Sequence, residues 1–141
     1  MGTISKHFSY REFETSPTAD HLGICNVIVT PEVRDAVKAL VLEVLEPLRT
    51  KWGEPLHVNS GYRCPDLNKA VGGVPTSQHQ KGEAADIKAD NPLELARLAM
   101  VLGLPFDQMI LYPTFVHFSH KLKGKQRRQV LYNKSYKGPK L

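Results

Sequence analysis

Residues 107–120 read DQMILYPTFVHFSH, and this stretch decides the fold class that the sequence predicts. It contains two apolar-rich runs, 107–112 and 115–120, which are separated only by a proline and a threonine. Two strand-like runs with so short a connection are typical of a β-hairpin. Further strands are predicted at 56–60, 84–88 and 128–132. We therefore expect a small sheet whose strands are mostly joined by hairpins.

Helix signals lie between these predicted strands. Thr30 can cap a helix whose first residue is Pro31, and apolar residues then recur three and four positions apart. Pro47 is expected to kink or end that helix. The predicted helices span 30–51, 65–70 and 91–102. Together with the strands they predict an α+β fold, in which helices flank a small antiparallel sheet.

Length and composition are those of an ordinary globular chain. The sequence has 141 residues, of which 41% are hydrophobic and 23% charged, so we expect one domain over 1–141. No apolar stretch reaches the roughly 18 residues of a membrane span, and no signal peptide is visible. We expect a monomer that is made in the cytoplasm and leaves it only with the help of another factor. Cys25 and Cys64 are expected to be unpaired, buried thiols.

Positive charge is concentrated in the basic C-terminal segment, residues 121–141. This segment contains eight Lys or Arg and no acid, so it carries +8 while the rest of the chain carries −3. It could bind a polyanion such as nucleic acid, anionic lipid or an acidic cell-wall polymer, or it could be a solvated basic edge. Nucleic acid is the disfavoured partner, because no groove-reading helix or aromatic stacking platform accompanies the charges.

A histidine and an aspartate near the middle of the chain form a candidate metal site. His79 and Asp86 are seven residues apart, with Gly82 between them. Because glycine permits a sharp turn, the imidazole and the carboxylate can converge on one point. A later histidine can complete a set of two histidines and one carboxylate, which leaves a fourth position on a zinc ion open for water. The pattern therefore predicts metal-assisted hydrolysis.

Two histidines, His117 and His120, compete for the third ligand position. On a strand, His117 shares a face with Phe115 and Ser119, while His120 lies on the opposite face. The neighbours of His117 on that opposite face are apolar, which is typical of a face that packs on the core. We therefore expect His117 to be the ligand, and His120 to be a bystander or to contact the site from behind.

Four sequence motifs surround these candidate ligands. They read SGYRCP at 60–65, NKAVGG at 68–73, SQHQKGEAAD at 77–86 and FVHFS at 115–119. Together they resemble the M15 family of zinc D-Ala-D-Ala carboxypeptidases, in the branch that is common in bacteriophages and bacterial genomes. FSYREF at 8–13 is similar to the start of that branch. The resemblance implies a hedgehog/DD-peptidase-like fold, a Zn²⁺ cofactor, and endolysin-like cleavage next to a D-amino acid in peptidoglycan stem peptides.

The resemblance also implies roles for individual residues. The residues that match the zinc ligands are His79, Asp86 and His117. Arg63 matches an arginine that holds the substrate's carboxylate or the oxyanion, a task that suits a permanently charged guanidinium. Ser77 and Gln78 match positions that bind substrate or support a ligand, although Ser77 could equally shape the turn.

The general base is left open by the sequence. Related enzymes usually place a carboxylate or histidine a few residues before the last ligand, but Thr114 stands three residues before His117. The remaining candidates are His120, Asp107, Glu83 and Tyr112. His120 and Asp107 are the predicted catalytic residues alongside Arg63, and Asp107 could instead orient a ligand.

Two classes of function follow. The first is a zinc-dependent peptidase of the bacterial cell wall, which could be a D-Ala-D-Ala carboxypeptidase or a related endopeptidase. The second is a metal-bearing peptidoglycan-binding module that has lost turnover, because the expected carboxylate before the last ligand is missing. In both cases the expected partner is a peptidoglycan stem peptide.

Overall fold

The computed structural model describes residues 2–141, and its frame is a five-stranded sheet. The strands are β1 (Val58–Ser60), β2 (Ala84–Lys88), β3 (Gln108–Leu111), β4 (Phe115–Ser119) and β5 (Gln129–Tyr132). They lie in the order β1-β2-β4-β3-β5. Neighbours are antiparallel except that β5 runs parallel to β3. The predicted α+β class with a helix-flanked sheet is confirmed, and the sheet is mixed because of this one parallel pair.

The parallel pair arises from the path that the chain takes after β4. Instead of turning directly back, the chain passes the beginning of β3, where the Arg128 N–H donates to the Phe106 carbonyl and the Gln129 N–H donates to the Asp107 carbonyl. The chain therefore enters β5 alongside β3 in the same direction. The predicted hairpin between β3 and β4 is confirmed, with Ile110 paired to His117.

Four α-helices precede β1, one lies between β1 and β2, and one lies between β2 and β3; four of the six share an apolar core with the sheet. The six helices are α1 (Tyr10–Glu14), α2 (Pro17–Leu22), α3 (Pro31–Leu40), α4 (Glu46–Trp52), α5 (Pro65–Ala70) and α6 (Pro92–Val101). Fully buried side chains of α3, such as Val37 and Leu40, belong to the same core cluster as Ile87 and Phe118 of the sheet. This packing leaves the other face of β2 and β4 free for polar side chains.

The long helix predicted over 30–51 is one helical segment with an inserted π-helix. Thr30 caps it, and the π-helical turn Val41–Leu45 joins α3 to α4 immediately before Pro47. A proline has no N–H to donate, and its ring clashes with the carbonyl four residues earlier in an α-helix. The wider π turn relieves that clash, so Pro47 neither ends the helix nor breaks it.

The two N-terminal helices, α1 and α2, were not predicted from periodicity because each is only five or six residues long. Both begin with a capping serine, and α1 has a capping box between Ser9 and Glu12. Phe13 of α1 is fully buried, and its carbonyl accepts a hydrogen bond from the Tyr62 N–H at 2.7 Å. Helix α1 thus holds the loop that follows β1.

Cys25 and Cys64 are both free, which confirms the prediction that they do not pair. Cys25 is exposed, however, and Cys64 is only partly buried, so the expectation of two buried thiols was wrong. Neither residue belongs to the buried core cluster, because both lie in segments that connect one element to the next. Within residues 2–141, no helix has the length and apolar character needed to cross a bilayer.

Candidate metal centre

Asp86 of β2 and His117 of β4 face each other directly across the sheet. Opposed residues on one face of an antiparallel pair have their Cβ atoms about 5 Å apart, so their side chains can meet. Here the His117 Nδ1 atom lies 2.8 Å from Asp86 Oδ1. The strand register alone therefore brings together two ligands that are far apart in the chain.

His79 reaches the same point from a 3-10 turn, Gln78–Lys81, that precedes β2. Gly82 ends this turn with a φ of 75°, a left-handed conformation that favours glycine. A Cβ atom at Gly82 would also lie 2.7 Å from the Val33 carbonyl oxygen, so helix α3 leaves no room for a side chain. The turn places His79 Nε2 3.4 Å from Asp86 Oδ1.

The orientation of the His79 ring is set by a contact on the ring nitrogen that does not face Asp86. Its Nδ1 atom lies 2.7 Å from the carbonyl oxygen of Gly61. Because a carbonyl only accepts, Nδ1 must carry the proton and donate it, and the lone pair is left on Nε2, toward Asp86. A hydrogen bond on the outer nitrogen of this kind is typical of metal-binding histidines.

The three side chains have the donor chemistry and spacing that zinc requires. Their ligand atoms all lie within 4.8 Å of one another, and His79, Asp86 and His117 are the one such group among residues 2–141. A tetrahedral ion bound at about 2.1 Å separates its ligand atoms by about 3.4 Å, which is the distance between His79 Nε2 and Asp86 Oδ1. Burial raises the pKa of the Asp86 carboxyl, but the adjacent imidazoles of His117 and His79 outweigh burial and lower it, so Asp86 is a carboxylate.

His120, a predicted catalytic residue, is not brought to this group. It lines a separate cleft with Lys38, Leu42 and Glu43 on the helix side of the sheet. Its side chain is buried, and burial lowers the pKa of its imidazole despite nearby acids. The alternation of faces along β4 explains this placement and agrees with the choice of His117 as the ligand.

Asp107, the other predicted catalytic residue, is fully buried and forms an ion pair with Arg127. It accepts hydrogen bonds from Arg127 N at 2.9 Å, Nε at 3.0 Å and Nη2 at 2.7 Å. Burial raises the pKa of Asp107, but Arg127 and the charge of Lys121 outweigh it and hold that pKa at about 2. Gln78 Nε2 also donates to Asp107 at 3.3 Å. Asp107 therefore positions Arg127 and Gln78 rather than a metal-binding side chain.

Arg63 and Asp86 line one cleft of about 310 Å³ together with Ser16, Thr18 and Ser60. Arg63 Nη1 donates to Asn68 Oδ1 at 3.0 Å, whereas its buried Nε atom has no hydrogen-bond partner within residues 2–141. Burial lowers the pKa of the Arg63 guanidinium, and the charge of Asp86 partly offsets that effect. The cleft thus places a guanidinium beside the metal-binding group, and one of its donors, the buried Nε atom, is unpaired within residues 2–141.

His117 lines a second cleft, of about 530 Å³, with Ser77, Gln78 and Glu83. The Ser77 hydroxyl accepts from the His79 N–H at 3.2 Å, so it shapes the 3-10 turn while also lining the cleft. Glu83 accepts from Gln78 Nε2 at 3.3 Å and from the Leu122 N–H at 3.0 Å. The metal-binding group therefore lies where two clefts meet, with Asp86 in one and His117 in the other.

Tyr112, the last candidate base, is influenced by the charges of the Arg63 cleft. Its ring stacks on Phe115 with centroids 4.2 Å apart. Burial, and then the charge of Asp86, raise the pKa of the Tyr112 hydroxyl. A phenol with a raised pKa keeps its proton near neutrality, so it can donate a hydrogen bond but is a poor base.

Two asparagines that support the site were not identified from the sequence as functional. Asn26 Nδ2 donates to the carbonyls of Glu14 and Tyr62, and its Oδ1 accepts from the Cys64 N–H, which fixes the backbone on both sides of Arg63. Asn68 is buried and holds Arg63. Only Asn68 lies within a motif quoted above, so no local signal could have identified Asn26.

Comparison with known proteins agrees with this site. A family model described as Peptidase M15 matches residues 6–120, which include all three candidate metal ligands and Arg63. A search of curated proteins gave no match.

Proposed function

Because the chain belongs to the peptidase M15 family of zinc metallopeptidases, we propose that it hydrolyses the bond next to a D-amino acid in peptidoglycan stem peptides, as a D-Ala-D-Ala carboxypeptidase. The observation that carries the proposal is the position of His79, Asp86 and His117 at the meeting point of two clefts. A peptide bond placed there has room for substrate on both sides. The protein would act on the bacterial cell wall once exported or released.

The metal is assigned to the three side chains whose potential ligand atoms lie closest together. His79 Nε2, an Asp86 oxygen and His117 would hold Zn²⁺, which when bound supplies Lewis-acid polarisation of a carbonyl and acidifies water. The chain's own contribution is orientation: Gly61 fixes the His79 ring, and the β2–β4 register fixes the other two side chains. Pre-positioned ligands of this kind need little reorganisation to bind the ion.

Arg63 would bind the terminal carboxylate of the peptide. Its guanidinium lines the cleft that Asp86 shares, and one of its donors is buried without a partner within residues 2–141. A fork of N–H donors matches the two oxygens of a carboxylate. This match favours removal of a carboxyl-terminal residue over cleavage within a longer chain.

Glu83 is our candidate for the general base. It is the acidic side chain that lines the cleft with His117, and its hydrogen bonds come from the amide of Gln78 and a backbone N–H. Asp107, by contrast, is paired with a cation that suppresses its basicity. Glu83 would accept the proton of the attacking water and later donate one to the leaving amine.

A catalytically inactive peptidoglycan-binding module is the second candidate function. It is favoured by Thr114, which stands where related enzymes usually carry a carboxylate or histidine, and by the commitment of Asp107 to Arg127. Such a module would retain zinc and bind stem peptides without cutting them.

The two functions are separated by digesting defined muropeptides with protein of measured zinc content. We expect one zinc per chain and release of D-alanine from a pentapeptide ending in D-Ala-D-Ala, detected by mass. A chelator should abolish release and added zinc should restore it, while His117→Ala serves as the metal-free control. Products cut within a cross-link would instead indicate an endopeptidase. Stoichiometric zinc with no cleavage between pH 5 and 9 would leave only the binding module.

A further inference from the structure

The loop 121–127 brings positive charge over the cleft that His117 lines. Four cationic side chains line this cleft against one acidic one, Glu83. The cations are Lys81, Lys121, Lys123 and Arg127. A small cleft with an excess of one charge concentrates ligands of the opposite charge.

The loop 121–127, which carries three of these four cations, is held in place by specific hydrogen bonds. Lys121 and Gln126 are joined reciprocally, since the Lys121 N–H donates to Gln126 Oε1 and Gln126 Nε2 donates to the Lys121 carbonyl, both at 2.8 Å. Glu83 accepts from the Leu122 N–H, and Asp107 from the Arg127 N–H. Charges on an ordered loop lose less entropy when they bind a ligand than charges on a free tail do.

The four cations of the cleft differ in whether an acidic side chain of the protein already pairs with them. Arg127 is engaged with Asp107 through two side-chain hydrogen bonds, and Lys121 approaches the same carboxylate at 3.8 Å. Lys81 and Lys123 form no ion pair within residues 2–141. Lys121 and Arg127 share the single carboxylate of Asp107, and Arg127 is the closer of the two, so Lys121 is only partly neutralised. Positive charge in the cleft is therefore in excess and available to a ligand.

The position of the cleft indicates which part of a substrate would contact its positively charged side chains. Asp86 lines the Arg63 cleft and His117 lines the cationic one, and the two residues are in contact. A peptide whose terminal carboxylate lies on Arg63 and whose scissile bond lies at the metal-binding group must extend its amino-terminal side into the cationic cleft.

We propose that Lys121 and Lys123 form a subsite for a carboxylate that the peptide carries on the amino-terminal side of the scissile bond. The preferred substrate is then an acidic peptide, an inference that rests on the function proposed above. Both lysines lie beyond residues 6–120, the part of the chain that matches the family model. The cleft of about 530 Å³ is the size of a site for a small ligand, which favours a peptide carboxylate over a long polyanion.

The test compares two peptides with zinc-loaded protein. Both end in D-Ala-D-Ala, and the preceding residue is diaminopimelate with either a free or an amidated side-chain carboxyl. The variant is Lys121→Gln/Lys123→Gln. Its matched control is Lys134→Gln/Lys137→Gln, which removes the same charge from two lysines of the C-terminal segment that do not line the cleft.

We expect the wild-type protein to favour the acidic peptide about tenfold, through KM rather than kcat, which corresponds to about 1.4 kcal/mol. The preference should shrink as salt is added, because the contact is partly exposed. The variant should treat both peptides alike, and the control should keep the preference. Calorimetry with each peptide and zinc-loaded protein should show the same ratio in Kd, with zinc content unchanged.

Several results would contradict the proposal that Lys121 and Lys123 form a subsite. These are equal use of both peptides by the wild-type protein, an equal loss for both peptides in the variant, or the same loss in the control. Displacement of the acidic peptide by a long polyphosphate but not by free diaminopimelate would assign the charge to a polymer instead. If the wild-type protein cuts neither peptide, the proposed function fails, and the calorimetric comparison still decides the subsite on its own.

Discussion

The carbonyl oxygen of Gly61 accepts a hydrogen bond from His79 Nδ1 at 2.7 Å, and this contact determines which nitrogen of His79 faces Asp86. Gly61 has no room for a side chain, because a Cβ atom there would lie 2.7 Å from the Cα atom of Phe13. The close approach of helix α1 therefore holds the carbonyl that orients the ligand. The N-terminal helix and the metal site are linked through one peptide unit.

Gly61→Ala tests this link. The added methyl group must displace Phe13 or the Gly61 carbonyl, so we expect zinc affinity to fall by about 10- to 100-fold, as for other contacts that orient a ligand. Gly2→Ala is the control, since a Cβ atom at Gly2 meets no atom within 4 Å. Zinc titration by competition with a chelating dye gives the affinity. An unchanged affinity in Gly61→Ala would show that His79 is oriented by other contacts.

The assignment of faces along β4 predicts different outcomes for its two histidines. His117→Ala removes a ligand and should abolish stoichiometric zinc, measured by metal analysis of the purified protein. His120→Ala should keep one zinc per chain, because His120 lines a different cleft, although its burial predicts a lower melting temperature. Equal loss of metal from both variants would contradict the assignment.

Glu83→Gln tests the proposed base. Glutamine keeps the acceptor for the Leu122 N–H but cannot take up a proton, so kcat should fall by about 100-fold or more with zinc still bound. Glu43→Gln, which changes an acid on the helix side of the sheet, should leave kcat unaltered. Near-normal kcat in Glu83→Gln would exclude this carboxylate as the base.

Acid stability should depend on the buried Asp107. Its pKa is lowered from 3.8 to about 2, so the folded state binds its proton less readily than the unfolded chain does. The stabilisation is present above pH 4 and is lost as the pH falls toward 2, and it amounts to about 2 kcal/mol. Glu46, whose pKa is held at about 2 against its burial by hydrogen bonds from Ser5 and His7, should add to the same slope.

Urea unfolding between pH 2 and 6 measures that dependence. Asp107→Asn should be less stable than the wild type at pH 6, because Arg127 loses its ionic partner, and its free energy of unfolding should fall less steeply below pH 4. Asp90→Asn, at a solvent-exposed acid in the loop after β2, is the control and should keep the wild-type slope. Parallel curves for wild type and Asp107→Asn would show that other groups govern the acid transition.

Much of the metal site could be predicted from sequence because its determinants are local. The glycine between His79 and Asp86 permits the turn that joins them, and alternation along β4 separates His117 from His120 whatever the partner strand is. The helix starts at Thr30 and Asn91 were predictable for the same reason, since a cap depends on residues within one turn.

The sequence by itself determined the residue types and spacings that converge on one ion, because short-range backbone geometry decides them. Only the tertiary structure decided which acidic side chains are already paired with a cation and which are not. Asp107 is paired with Arg127, 20 positions away, where the chain enters the edge strand β5, whose parallel pairing with β3 no local sequence pattern predicts. The same long-range packing brings Asn26 to the backbone beside Arg63, and it brings the lysines of loop 121–127 to the cleft of His117. Contacts of this kind join distant segments, and they depend on how the whole chain buries its apolar surface.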